Sequence, residues 1–522
     1  MSLKARLLIA IISILLIAIV MMGGVSVKVA VSEAEDALTE SVKARLISQN
    51  VQTGEALEEY FGFITSQIRA KSSDLATVEA TEQFIPAFNQ YVSQRSKLNS
   101  AQKSQLSSYY SSDFTQQYNN SNPEPISITG NVLGGLSETT LALQYDFIAG
   151  SSQPLGGKDG LINLNNGAAY SQVHNRFHPS FRNFLKEFGY YDIFIVDIPT
   201  GNIVYSVFKE LDYATSIKTG PYAGTGIGKA FSKAVNATEV GQVFYSEFNQ
   251  YRPSYDALAG FVSSPIYSNG KAVAVMIFQM PMDRINNVLT HHSKWKEKGF
   301  GETGETYLVN GQGNLVNESR AFVEDRAGYV KKLKKKFPNL AKKIAAKDTT
   351  IGLQPAGSAA ANRAFKGESG FDQMIDYHDA EVFSSFSPVS IGEYNYALLA
   401  EMEVAEALRA TVKVRNNLIT STLIEALLII GVSVVLVMFF SARLVRPLNR
   451  LGRTCEELSE GEGDLTIQLN ASGIPEIDRI SNGFNVFIGQ IRDIIGQVKI
   501  DSDSLSSASQ ELSVITSQSA NK

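Results

Sequence analysis

Two apolar runs, Leu7–Met22 and Leu418–Phe440, constrain this chain more than any other feature. A helix needs roughly 20 apolar residues to cross a ~30 Å hydrocarbon core. The first run carries no charged residue and the second only Glu425. Lys4 and Arg6 precede the first; Arg443, Arg446, Arg450 and Arg453 follow the second. The positive-inside bias then puts residues 1–6 and everything after 440 in the cytoplasm, and the long stretch between the runs outside. A cleaved signal peptide is the competing reading of the N-terminus. The apolar region is longer than a signal core and no small-x-small site follows, which favours an uncleaved anchor over residues 7–25. A carboxylate at mid-membrane is costly, so Glu425 is expected at the outer edge of the second span, 418–440.

The slight net charge of -5 gives no reason to expect a nucleic-acid partner. Cys455 is the single cysteine, so no disulfide frames the outer part. That part, 26–414, begins with a helical pattern over Val27–Arg69, where Leu38, Leu46, Leu57, Phe61 and Ile64 recur near helical spacing. More helix follows over Gln83–Phe114, then a loop at Asn119–Pro125. From Tyr190 the texture turns to short β-branched and aromatic runs. Asp192–Asp197, the turn Pro199–Asn202 and Ile203–Phe208 predict a hairpin. Gln242–Phe248, Leu258–Tyr267 and Ala272–Met280 predict three further strands. A similar order recurs with Thr306–Val309, a return at Leu315–Val316, a Lys-rich helical insert over Tyr329–Lys347 broken at Pro338, and a closing hairpin Glu381–Pro388/Tyr396–Glu403. The lysines of that insert read as a solvated face. The fold class is α+β, with two related antiparallel-sheet modules in tandem at about 180–290 and 300–405.

Past the second span, Leu444, Leu448, Leu451, Cys455 and Leu458 step by four and three, an a/d seam with Pro447 near its start. Gly461, Gly463 and Asp464 break the helix, and Leu465 and Ile467 lie in an extended linker. A second seam holds Ile477, Ile480, Phe484, Phe487, Ile491, Ile494 and Val498. A linker long enough to run back along the first helix makes the two helices parallel. In a single chain they would leave apolar faces exposed, and a homodimeric four-helix bundle would bury them.

Arg446-Pro447-Leu448, Gly463-Asp464-Leu465 and Pro475-Glu476-Ile477 resemble a HAMP domain, the linker module of bacterial transmembrane receptors. Gly189–Asp197 with Tyr205–Glu210 resembles the membrane-distal module of a double Cache sensor, and Gly304–Val309 the opening of the proximal one. Ala508–Asn521 is similar to the first helix below the HAMP domain of a methyl-accepting chemotaxis protein. The resemblance implies an extracytoplasmic double Cache sensor of two PAS-like modules on a long N-terminal helix. It also implies a HAMP domain over 441–496, and a coiled coil starting at 497–522. The packing residues it assigns to the HAMP bundle are Leu444, Pro447, Leu448, Leu451, Leu465, Ile467, Glu476, Ile477, Ile480, Phe484, Phe487 and Ile491. The location implied is the bacterial inner membrane, two-pass, with both termini cytoplasmic. Chemotaxis receptors bind a histidine kinase and a coupling adaptor through a helical hairpin; this sequence stops at Lys522 before that hairpin, so the expectation is either a fragment or a chain whose output part is absent.

Cache modules take small molecules beneath the curved sheet, usually in the distal module. The polar groups that would face such a pocket are Tyr205, Lys209 and Asp212, Tyr222 as a lid, and Asp256, Ser263 and Gln279. A Lys and an Asp together would suit a ligand with amine and carboxylate; the plainer alternative is a surface pair. Amino-acid-binding relatives carry Arg-x-Trp-Tyr, whereas this chain has Tyr251-Arg252-Pro253-Ser254-Tyr255 and its one Trp at 295, so an amino-acid ligand is not supported. No catalytic constellation, metal-ligand spacing or cofactor motif stands out. The expected function is a chemotaxis-type receptor, not an enzyme. It would sense a small molecule or a periplasmic binding protein and relay the signal through the second span and the HAMP domain. The sensor half of an enzyme-linked receptor (histidine kinase, adenylate or diguanylate cyclase) is the alternative, and a non-signalling anchored binding protein a third.

Overall fold

The computed structural model describes residues 3–127, 131–460 and 463–519. Gly461, Asn521 and Lys522 lie outside the described residues. The chain forms two compact units: residues 36–409, and residues 1–35 together with 410–522.

Helix α1 spans Leu3–Ser73. Within the first unit it buries Val42, Leu46, Asn50, Thr53, Leu57, Phe61, Ile64 and Ile68. Steps of three and four keep these on one stripe. The lower part of the stripe packs on one sheet and the upper part on another. Asp74 then caps α2, Leu75–Arg95. A further helix, Ala169–Phe188, packs beside α2 and leads into the first sheet.

The first sheet contains β1 (Asp192–Asp197), β2 (Ile203–Ser206), β3 (Phe244–Tyr245), β6 (Phe261–Ser268) and β7 (Lys271–Gln279), in the order β2-β1-β7-β6-β3. β4 (Asn249–Tyr251) and β5 (Ala257–Ala259) pair separately as a ribbon. Every residue of β1 is buried, because the sheet is covered on both faces, and this is why the segment reads as an unbroken apolar run. In the β1–β2 turn Gly201 has φ +68, and a Cβ there would sit 2.4 Å from Lys218 Cβ, so only glycine fits. The strand expected over Gln242–Phe248 is confined to β3, because the chain then leaves the sheet to build the ribbon.

The second sheet holds β8 (Glu305–Val309), β9 (Gly370–Ile375), β10 (Glu381–Ile391) and β11 (Tyr394–Glu403), in the order β8-β11-β10-β9. The expected return at Leu315–Val316 is only an isolated bridge from Leu315 to Val309. The fourth strand is β9 instead, an edge strand whose residues are half-buried or exposed. The Lys-rich insert is two helices, Arg326–Lys336 and Pro338–Lys347, with the proline at a tolerated first position. Its Lys331, Lys332, Lys334, Lys335 and Lys336 are exposed. The two sheets meet where the Phe248 amide donates to Tyr396 Oη (3.2 Å) and Lys233 Nζ to Tyr394 Oη (2.7 Å).

In the other unit, Gly23 of α1 approaches Thr422 of the helix Arg409–Phe440 so closely that a Cβ would meet its methyl at 2.6 Å. Both helices are long and apolar enough to cross a membrane. The helix Arg446–Glu460 is followed by an extended linker and then the helix Pro475–Ser519. The linker is pinned in reverse order along the second helix. Leu465 O accepts from Arg492 Nε (2.9 Å), Asn485 brackets the Leu469 amide and carbonyl (both 2.9 Å), and Asp478 accepts from the Ser472 hydroxyl (2.7 Å). The chain therefore returns to the start before the second helix begins, and the two helices run parallel.

Asn50 is the polar tie between α1 and the second sheet. Its amide donates to Ser385 O and Leu398 O (3.0 Å each), and its oxygen accepts from the Ser387 hydroxyl (2.6 Å). Asn50→Ala leaves two buried carbonyls with one bond fewer each. We expect a loss of about 1–3 kcal/mol in urea unfolding of the 36–409 unit, with an unchanged m-value.

Candidate functional site

Where β2 ends, the chain runs Ser206-Val207-Phe208-Lys209-Glu210-Leu211-Asp212 along the sheet edge. Three charged groups, Asp192, Lys209 and Asp212, are buried here, and a fourth, Glu210, is half-buried. Asp192, the first residue of β1, accepts from the Ser206 hydroxyl (2.7 Å) and from the amides of Val207 and Phe208 (2.9 Å each). It fixes the turn. Glu210 accepts from Tyr191 Oη (2.9 Å) and Ser254 Oγ (3.1 Å), and Asp212 accepts from Tyr251 Oη (2.6 Å). Gln279, directly opposite Asp192 on β7, donates to Ser254 Oγ (3.1 Å). Two oxygens in this group, Asp212 Oδ1 and Gln279 Oε1, are buried and make no hydrogen bond.

Burial decides the protonation of these groups. It pushes the Asp212 carboxyl up to about 6, against the Tyr251 hydrogen bond that lowers it. Burial, and then repulsion from Asp212, raise Asp192 and Glu210. Lys209 is lowered by burial, with Asp192 partly restoring it; its ammonium donates to Val207 O (2.9 Å). The backbone is strained as well. Lys209 (φ 57), Ala214 (φ 63), Tyr255 (φ 57) and Asp256 (φ 56) all lie in the left-handed region. Such outliers cost of order 1–3 kcal/mol each and concentrate at working sites. The cavity beside Lys209, Glu210 and Tyr255 is ≈ 10 Å³, so the site is closed to anything larger than about one water.

Of the residues picked from sequence, Asp212, Gln279, Tyr222 and Lys209 gather here. The Tyr222 ring meets that of Tyr251 edge-on at 6.0 Å. Lys209 and Asp212 are each 1 % exposed, which rules out the surface pair. Tyr205 lies elsewhere: its ring packs on Phe84 (4.8 Å) under the helical layer, and its hydroxyl bonds His178 Nδ1 (2.7 Å). Its neighbour Ser206 is the one that shares a face with Asp192. Ser263 donates to Ala230 O (2.8 Å) and so ties β6 to the helix Gly226–Val235. Asp256 pairs with Arg252 (3.0 Å) and Tyr118. Asp192, Glu210, Tyr251 and Ser254 were not picked as site residues. The signal for Glu210 was its place between Lys209 and Asp212, directly after an apolar strand. That for Tyr251 and Ser254 was the segment standing where Arg-x-Trp-Tyr was sought.

Beyond the second span, Ile477 is buried and Phe484 and Ile491 half-buried within the chain, together with Ser481 and Ile488. Ile480 and Phe487 are exposed, as are Leu444 and Leu448, while Leu451 is half-buried. Leu465 and Ile467 are half-buried along the linker, Pro447 is half-buried and Glu476 is exposed.

Two antiparallel-sheet modules on one helix stand in chain order between two helices long and apolar enough to cross a membrane, and a parallel helix pair follows. The chain belongs to the Cache-domain family, whose model matches residues 35–411; a HAMP domain matches residues 439–493. It is similar to the methyl-accepting chemotaxis protein PctB of Pseudomonas aeruginosa, 23% identical over 263 residues, covering 50% of this chain and 36% of that protein. McpA of Pseudomonas putida is 23% identical over 251 residues, 48% of this chain and 33% of that protein. The chain thus spans about a third of the length of these curated relatives. Among solved structures, the ligand-binding domain of PctB in complex with L-Arg has a TM-score of 0.27 at 17% identity, covering 45% of this chain and 83% of that one.

The folded-state value of Asp212 exceeds that of a free Asp, so the native state holds its proton more tightly than the unfolded state. Its contribution is present at low pH and is lost as pH rises from about 4 to about 6. Asp212→Asn removes that loss. Its melting temperature relative to the parent protein should climb across this window and stay level above it, as read by thermal unfolding in a pH series.

Proposed function

We propose that this chain is the sensing and transmission part of a chemotaxis-type transmembrane receptor, and that its first module senses a small molecule bearing a positively charged amine. The observation that carries the ligand class is the excess of carboxylates at the sheet edge: Asp192 and Asp212, buried, and Glu210, half-buried, against the buried Lys209 and Lys158, whose ammonium donates to Gln153 O. Buried charge without a partner is costly, and a cation supplied from outside relieves that cost. Asp212 Oδ1 and Gln279 Oε1 are free acceptors for an ammonium. Tyr222 and Tyr251 supply aromatic faces beside it. Entry requires the strained segment 209–214 to move, so binding selects an opened arrangement of the edge.

The similarity to methyl-accepting chemotaxis proteins supports a chemotaxis output over an enzymatic one. Transmission would run from β11 through the second span, by displacements of roughly 1–2 Å, into a parallel helix pair that completes itself with a second copy. Ile480, Phe487 and Ile494 are 50%, 55% and 62% exposed and seven residues apart, as a coiled-coil seam requires. In this reading the protein is a two-pass inner-membrane homodimer with both termini cytoplasmic, and a kinase and adaptor act through a region beyond this chain.

Calorimetry of the chain in lipid nanodiscs against a panel of amines and amino acids tests the ligand class. We expect at least one amine-bearing compound to bind, with Asp212→Asn weakening it about tenfold or more. Binding by anions alone would sink the proposal. For the bundle, single cysteines on a Cys455→Ser background should crosslink between copies at 480, 487 and 494, and far less at 481 and 488. A scan without that seven-residue period would reject the parallel dimer.

A further inference from the structure

The second module repeats the arrangement of the first. β8 and β11 are the first and last strands of their module, as β1 and β7 are of theirs, and in both modules the two are hydrogen-bonded neighbours. In the first module the cross-strand pair at the strand end is Asp192–Gln279; in the second it is Glu305–Glu401. In each pair the residue on the last strand has a buried oxygen with no hydrogen bond, Gln279 Oε1 and Glu401 Oε1.

The second site has space where the first is closed. A cavity of ≈ 190 Å³ is lined by Glu305, Glu401, Asp376, Arg320 and His378 among others. Glu401 is 3 % exposed. Its Oε2 accepts from Tyr307 Oη (2.8 Å), while its Oε1 is buried without a full hydrogen bond, beside the equally unsatisfied hydroxyl of its cross-strand neighbour Ser384, which lowers the carboxyl against the rise that burial causes. Glu305 accepts from two neutral donors, Tyr377 Oη (2.6 Å) and the Arg320 amide (2.8 Å), and its Oε1 lies 3.9 Å from His378 Nε2. The Arg320 guanidinium is directed to other acceptors: Glu324 Oε1 (2.8 Å), Gly304 O (2.5 Å) and Gly301 O (2.9 Å). His378 is held neutral by burial, its value lowered to about 4. Burial raises Glu305 to about 7 and Glu401 to about 8. Two carboxylates face each other across adjacent strands, and like charges so placed repel. Among the described residues no three His, Cys, Asp or Glu side chains converge as a metal would require. The acceptor geometry therefore suits a hydrogen-bonding organic cation.

We propose that the second module carries its own ligand site, in which Glu401 and Glu305 receive the ammonium group of a small amine. The site is distinct from the one at Asp212. It lies on β11, which ends at Glu403 and is followed by the helix Val404–Ala407. The cavity residues Glu302 and Thr303 bond the Glu406 carboxylate of that helix through their amides (2.7 Å each). Occupancy thus bears on the segment preceding the second span.

The test is calorimetry on the full chain in nanodiscs with methylamine, ethylamine and ethanolamine, and with acetate as the anionic control. We expect an amine to bind a second site that persists in the Asp212→Asn protein, and Glu401→Gln and Glu401→Asp on that background each to weaken this second binding by about tenfold to a hundredfold. Asp212→Asn should leave that binding within about twofold, because the two sites share no residue. Without ligand, Glu401→Gln should melt higher than the parent protein at pH 8, since it removes a buried charge. No amine binding to the Asp212→Asn protein, or binding on that background that survives both Glu401 variants, overturns the proposal. Binding abolished by Asp212→Asn and untouched at Glu401 also overturns it and assigns all recognition to the first module.

Discussion

Both sheets of the 36–409 unit lie on one helix, and the rest of that unit follows from this sharing. The α1 stripe gives Val42 and Leu46 to the second sheet, where they meet Phe383, Ala400 and Met402. It gives Leu57, Phe61, Ile64 and Ile68 to the core of the first. Polar ties hold the register: Asn50 to the carbonyls of Ser385 and Leu398, and Ser72 Oγ to Ser264 Oγ (3.1 Å). A fully buried aliphatic side chain contributes roughly 1.5–3 kcal/mol, so the stripe outweighs any one of these hydrogen bonds. The hydrogen bonds set where along the helix each sheet sits. Because α1 covers one face of each sheet, the opposite face is left to be covered by loops and short helices.

That second face is where polar groups are trapped. Loops bring backbone amides, tyrosines and serines, which satisfy most of the acceptors there. They do not bring enough cations. At the first sheet the ammonium groups of Lys209 and Lys158 are turned to the carbonyls of Val207 and Gln153, and at the second the buried guanidinium of Arg320 is directed to Glu324 and two carbonyls. Carboxylates in such places carry an energetic cost that is recovered only by protonation or by an incoming cation. The repeated topology makes the comparison pointed: the same strand pair has a closed site in one module and an open one in the other.

Much of the fold was legible because packing wrote itself into periodicity. The β1–β2 hairpin showed as two apolar runs around Pro199–Asn202, and the parallel helix pair as two seams with a linker of sufficient length. β9 was not legible, since an edge strand needs one neighbour only and Gly370–Ile375 buries little. The site was half legible. The run Lys209-Glu210-Leu211-Asp212 was visible as charge following a strand, but charge at a strand end ordinarily means solvent. Only the tertiary cover reverses that meaning for Asp192, Glu210, Glu305 and Glu401. Tyr205 was expected beside Lys209 and Asp212, and the structure places it on the other face of the sheet. Alternation along β2 separates Tyr205 from Ser206, yet which of them shares a face with Asp192 depends on the pairing with β1, where Ser206 opposes Phe194 and Tyr205 opposes Ile195.

The parallel helix pair beyond the second span poses the complementary problem. Within the chain, Ile477, Ser481 and Ile488 are buried and Ile480, Phe487 and Ile494 are not. An a/d seam read along one helix cannot distinguish the residues that face the helix of the same chain from those that face a second copy, because both lie on one broad apolar side. The linker resolves this. Pinned by Asn485 and Arg492, it occupies one flank of the second helix, which leaves the 480–487–494 line as the flank still uncovered. In the proposed dimer, three large side chains per copy, at roughly 1.5–3 kcal/mol each on burial, would be enough to drive association of chains already confined and oriented by a membrane. A ligand can bias such a bundle only by the difference in its affinity for two packings, so carboxylates that are costly without a cation and favourable with one are a suitable source of that difference.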